Sequence, residues 1–269
     1  MRELFRKKHE LWLRMLYGAF ALPKGEEFDR LLDFAAIELR HLKWLATDMV
    51  RQGFDFDWDR GQVPIVHVTS HGIYEALLES LRDVERAYGA GALYERMQSD
   101  EAYMQNALER MLQSDPIEIT AFSKELRYEN LDGVSLQALV QFLFEESYKE
   151  YELIVTYFYS AMHTDSVRLY SIFEDLIYES IYHLKSFSVL MAKLGILTLP
   201  RTVMKEVYKF EDLKSFLEKG IEEELAAKEE CKKLATSIKD EELSRFFSYI
   251  DNQENYHIEL MKEAIALLR

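Results

Sequence analysis

The chain has 269 residues, 48% hydrophobic and 30% charged, with ten glycines, four prolines and a formal net charge of −15. That acidity argues against nucleic acid and anionic membrane surfaces as partners, and the single cysteine, Cys231, excludes an internal disulfide framework and a Cys-only metal site. There is no apolar run of the roughly 18 residues a membrane span needs. The charged, amphipathic start "MRELFRKKHELWLRML" lacks the cleavage site of a signal peptide, so a cytoplasmic location is expected.

Apolar residues recur at helical spacing almost throughout. Helices are expected over 2–21 and 26–52, separated by "LPKG". After a non-helical connection over 53–70, two more follow at 71–89 and 92–113. The stretch 114–135 reads as a joint, with Ser135 capping the helix over 136–162. "HTDS" then offers Asp165 or Ser166 as the N-cap of a helix over 165–194. A second non-helical connection, 195–210, precedes helices over 211–238 and 241–268. The pattern predicts an all-α protein of two tandem four-helix units, 1–115 and 136–269, with a linker over 116–135. Gly53 and Gly195, each ending the second helix of its unit, lie 142 positions apart, as do His41 and His183. An internal duplication explains that register.

Charges fall where helical stripes call for apolar residues. On the last helix the stripe Phe247, Ile250, Glu254, His257, Met261, Ala264, Leu268 carries a carboxylate and an imidazole at its middle. The helix before it gives Leu217, Gly220, Glu224, Ala227, Cys231, Leu234, while the adjacent Glu222 and Glu223 point elsewhere and read as solvated. The fifth helix gives Leu143, Glu146, Glu150, Leu153, Tyr157, Ala161, and the sixth gives Ile172, Leu176, Glu179, His183, Phe187, Leu190. Four carboxylates in a bundle core cost several kcal/mol each unless compensated. Two divalent cations would balance them, with two neutral imidazoles completing the shell. The expected ligands are Glu150, Glu179, His183, Glu224, Glu254 and His257, with Glu146 as a rival to Glu150. Carboxylate and imidazole donors suit iron or manganese.

The second half resembles the ferritin-like di-iron carboxylate superfamily, and within it the rubrerythrin-like branch. "ELAAKEEC" starts at Glu224, and Glu254 with His257 follows thirty residues on; "EYELIVTY" runs from Glu150 to Tyr157, with Glu179 twenty-nine residues on. "ESIYH" departs from the family's pattern, since Glu179 and His183 are four apart rather than three. Both still share a face, and a π-bulge would restore the usual geometry. The resemblance implies two tandem ferritin-like four-helix bundles and a centre of two irons, or of iron and manganese. In it Glu179 and Glu254 bridge, Glu150 and Glu224 are terminal, and His183 and His257 bind one ion each.

The first half carries part of the pattern. "ELWLRMLY" begins at Glu10, and "ELRH" supplies Glu38 and His41, so these three are the candidate ligands. The stripe Met104, Ala107, Leu108, Met111 holds no complement, and Glu79, Asp83, Glu85, His67 or His71 would have to supply one. A degenerate, single-metal or structural half is expected there. Among other residues, His9 and His163 read as surface residues and Cys231 as buried packing. Tyr157 and Tyr182 are the tyrosines placed to act beside the centre.

By resemblance, the reaction class is ferroxidase, peroxidase-like oxidation or oxygenation, with dioxygen or peroxide as partner. No rubredoxin module with paired CxxC motifs exists, so an oxidoreductase here needs an external electron donor. A homodimer stays open. The alternative is a non-catalytic metal-binding or helical interaction protein on a decayed ferritin-like scaffold.

Overall fold

A computed structural model of the chain describes residues 1–119, 131–210 and 212–268. Among these the structure is all-helical: α1 (Arg2–Ala21), α2 (Glu26–Arg51), α3 (Ser70–Glu85), α4 (Ala92–Met111), α5 (Gly133–Met162), α6 (Val167–Lys193), α7 (Lys205–Tyr208), α8 (Leu213–Ser237) and α9 (Glu241–Leu267). The β pairing found there is one isolated antiparallel bridge, Thr69 with Glu118. No described helix is long and apolar enough to cross a membrane. The linker read over 116–135 lies, across 120–130, outside the described residues.

Two compact units divide the chain. The first contains α1–α4 and also Ala192–Thr202. Here α1 packs along α2 and α3, and α4 packs on α3 and α2. The stripe Phe28, Leu31, Ala35, Leu42, Leu45, Met49 of α2 is buried. Each of the larger side chains, Phe28, Leu31, Leu42, Leu45 and Met49, contributes about 1.5–3 kcal/mol of apolar burial. The connection after α2 folds Phe56 and Trp58 onto Phe5, at ring separations of 4.9 and 5.4 Å. Trp58 also stands edge-on to His9 at 4.8 Å. His9, expected at the surface, is therefore core, and burial with the Arg60 charge nearby brings its pKa down to about 3.

The second unit contains α5 to α9. α8 and α9 form a hairpin, and α5 lies against α7 and α8. Phe142 of α5 meets Phe187 of α6 at 5.6 Å and Phe247 of α9 at 5.4 Å, both edge-on, a favourable ring geometry. Aspartates start the helices. Asp132 accepts from the Ser135 backbone N–H, so Asp132, and not Ser135, caps α5. Asp212 and Asp240 cap α8 and α9 in the same way, and Ser166 accepts from the Leu169 N–H at the start of α6. The connection expected to be non-helical over 195–210 contains the single turn α7, which buries Tyr208.

Gly53 and Gly195 both adopt the left-handed region, with φ of 79° and 76°, and the Gly53 N–H closes back on the Val50 carbonyl as the Gly195 N–H does on that of Ala192. A Cβ is disfavoured there by about 1–2 kcal/mol. Gly53→Ala and Gly195→Ala should each lower the denaturant midpoint by a corresponding amount. Unchanged midpoints would show that neither helix end depends on that conformation.

Candidate metal centre

Four helices of the second unit carry the candidate donors. Glu150 comes from α5, Glu179 and His183 from α6, Glu224 from α8, and Glu254 and His257 from α9. Their positions follow from helical periodicity: Glu224 lies between the buried Leu217 and Cys231, and Glu254 and His257 lie between Ile250 and Met261. Glu150, His183, Glu224, Glu254 and His257 are each no more than 5% exposed. The Glu179 side chain, at 30%, is the most accessible of the set. α6 is an uninterrupted α-helix with no π-turn, and the four-residue spacing nonetheless brings Glu179 and His183 to the same place.

Three overlapping donor groups emerge, each with its atoms within 4.8 Å of one another: Glu150, His183 and Glu254; Glu224, Glu254 and His257; and Glu179, His183 and His257. Glu254 is common to the first two, and the third joins the two imidazoles. His183 Nδ1 lies 3.0 Å from Glu150 Oε1 and 3.6 Å from Glu254 Oε1. His257 Nδ1 lies 3.1 Å from Glu254 Oε2 and 3.8 Å from Glu224 Oε1, and its Nε2 lies 3.7 Å from Glu179 Oε2. The two rings are 5.0 Å apart. Glu146, one turn before Glu150, joins none of these groups; burial, against the pull of Lys149, pushes its pKa up to about 7.

The electrostatics show a centre short of positive charge. Both ring nitrogens of His183 face acceptors, Glu150 Oε1 and Gln253 Oε1, an arrangement that favours the imidazolium. Burial opposes that charge, but the charge and hydrogen bond of Glu150, with Glu254 beyond, raise its pKa to about 9. Burial likewise opposes the charge on His257, which the facing carboxyl groups of Glu179, Glu224 and Glu254 push up to about 12. Of the paired carboxylates, burial and the neighbouring Glu224 drive Glu254 up; Glu224, resisting burial, is held down by Glu254 and His257. Two imidazoliums thus face four carboxyl groups, and several atoms are left over. Glu150 Oε2, Glu254 Oε2, His257 Nε2 and the Tyr157 hydroxyl are buried without a hydrogen bond among the described residues.

An unmade hydrogen bond on a buried polar atom costs about 1–3 kcal/mol. Carboxylate and imidazole donors whose remaining lone pairs converge fit a pair of divalent cations. Tyr157 stands beside them: burial first, then the charges of Glu224, Glu150 and Glu254, holds its phenol far above the ordinary range. In metal-free protein Tyr157→Phe should leave the melting temperature unchanged or raise it, because it deletes a buried hydroxyl that has no hydrogen-bond partner among the described residues. A clear loss of stability would mean that the hydroxyl is satisfied. Cys231 is buried, and its thiol is held protonated by burial and the nearby carboxylates. Tyr182 lies at the surface.

The first unit treats its candidates differently. Glu10 is not brought to Glu38 and His41; it accepts from Arg6 and from the Gly61 N–H, each at 2.7 Å. In its place Lys8, fully buried, sits between Glu38 (2.9 Å) and Glu101 and donates to His41 Nδ1 at 2.9 Å. An ammonium only donates, so His41 carries its proton on Nε2 and gives it to Asp100 Oδ2 at 3.1 Å. Tyr88 donates to Glu101 at 2.5 Å. Against the upward push of burial, the Lys8 ammonium holds Glu38 low; burial keeps Glu101 high despite Lys8. α4 does therefore supply an inward carboxylate, one turn before Met104. Of the histidines near α3, His71 is bonded to the Ser114 carbonyl at 2.9 Å, and neither it nor His67 joins the cluster.

No protein-family model matches this chain, and no curated protein and no solved structure matches it either.

Proposed function

We propose that the second unit is a ferritin-like, rubrerythrin-like centre for two iron ions, or iron and manganese, serving redox chemistry. One observation carries the reading: four buried or half-buried carboxyl groups from four helices face only two imidazoles, with carboxylate and imidazole atoms left without hydrogen bonds. Ion pairs with lysine or arginine would satisfy such a set in a purely structural core. Here Lys149 and Lys228 instead pair outward, with Glu223 at 3.5 Å and Asp251 at 2.9 Å.

In this reading Glu150, His183, Glu224, Glu254 and His257 would hold the pair of ions, and Glu179 would close the side that solvent reaches. Bound together, two such ions supply paired one-electron steps toward dioxygen or peroxide. The chain's part is to hold the carboxylates in a largely dry core and to keep Tyr157 and Cys231 protonated beside them. The substrate class is ferrous iron itself, in a ferroxidase, or a molecule oxidised by peroxide or oxygen with electrons from an external donor.

A second reading, a metal-binding or helical interaction protein without catalysis, draws on the first unit, whose corresponding cluster is closed by Lys8. Admission of air to anaerobically ferrous-loaded protein separates them. The redox reading expects oxygen uptake well above that of free ferrous ion, lost in His257→Ala. Uptake no faster than the free ion would leave the metal a structural role.

A further inference from the structure

The two halves of the sequence share a register that extends to the buried clusters of the two units. Residues 142 positions apart correspond at the helix ends, Gly53 with Gly195, in the same left-handed conformation. They correspond again inside, where His41 Nδ1 meets Lys8 Nζ at 2.9 Å and His183 Nδ1 meets Glu150 Oε1 at 3.0 Å. Lys8 and Glu150 are themselves 142 apart, and each lies 33 residues before its histidine. A lysine in the first unit therefore stands where the second carries a carboxylate.

Around it are the donors of a cation site. Glu38, His41 and Glu101, all buried, bring three ligand atoms within 4.8 Å of one another. Glu101, 2% exposed, keeps its Oε2 buried without a hydrogen bond among the described residues. The ammonium of Lys8 bonds to all three residues, as a divalent ion there would. Asp100 orients His41 from the far side, the outer support that ligating imidazoles ordinarily have.

We propose that the Lys8, Glu38, His41 and Glu101 cluster is a divalent-cation site whose ion is replaced by the chain's own ammonium. Exchanging Lys8 for a carboxylate opens it to one divalent ion held by carboxylate and imidazole. The inference concerns the first unit and holds whether or not the second unit carries metal.

Cobalt(II) is the probe, titrated into chelator-stripped full-length protein carrying Glu254→Ala and His257→Ala, so that the second unit does not contribute. With Lys8 in place, no cobalt should remain after gel filtration. With Lys8→Glu added, about one equivalent should bind and show visible absorption of nitrogen and oxygen ligation, and His41→Ala should remove it. Lys8→Met, which adds no carboxylate, should show a melting temperature that rises with cobalt. Cobalt held by the Lys8 chain and released by His41→Ala would overturn the proposal. So would Lys8→Glu that folds without taking up cobalt or stays unfolded in its presence, or Lys8→Met indifferent to it.

Discussion

In metal-free protein Lys8→Met should destabilise the first unit by about 3–5 kcal/mol, the usual cost of removing one partner from a buried ion pair. Lys8 is wholly enclosed and is the ammonium between Glu38 and Glu101. Methionine matches its length but leaves two carboxyl groups facing each other in the core. The penalty corresponds to a fall of roughly 6–20 °C in the melting transition of that unit. Much of it should return when Glu38→Gln and Glu101→Gln are added, because neutral amides need no counter-charge. If Lys8→Met melted within a degree of wild type, the ammonium would not be what holds those carboxylates.

The second large effect is a dependence on pH that differs with metal. His183 and His257 have folded pKa values raised from 6.5 to about 9 and about 12. A raised value means that the folded state binds protons more tightly than the unfolded one. The stabilisation is therefore complete below pH 6.5 and disappears as pH rises through the folded values. Glu254, also raised, acts in the same direction. Metal-free protein should lose on the order of a few kcal/mol between pH 6.5 and 9.5, seen as a falling urea midpoint in the presence of chelator. Loading with metal requires neutral imidazoles, so affinity should rise over the same interval. At pH 7, uptake should release about three protons per chain, from His183, His257 and Glu254, into weakly buffered solution. A flat urea midpoint, or uptake without proton release, would show that these imidazoles do not carry the charge.

Much of the fold is legible in the sequence because eight of its nine described helices are long and strongly periodic, several of them starting after Gly or Asp. The single turn α7 is too short to show a period, and the cap at Asp132 hides behind a serine three residues later. The second-unit donors are legible because Glu and His at the middle of apolar stripes conflict with burial.

In the first unit Glu38 and His41 come together as expected, and of the three candidate ligands Glu10 alone is misread, for a physical reason. Glu10 opens a motif resembling that at Glu150, yet the corresponding position is Lys8, two residues or about 200° of helix away. A lysine in the charged run "RKKHE" reads as a flexible cation reaching for solvent. Its role appears only once Glu38 and Glu101, from other helices, are seen around it. His9 is misjudged similarly, since the tryptophan that covers it, Trp58, arrives from a connection without periodicity.

The central claim is tested most directly by counting metal after anaerobic ferrous reconstitution of the wild type and of Glu254→Ala. Glu254 belongs to two of the three donor groups, so its loss should release both ions. The expected result is about two irons per wild-type chain and none in the variant, with helical content unchanged. No iron in a folded wild-type chain, or a full complement in Glu254→Ala, would contradict the two-metal centre.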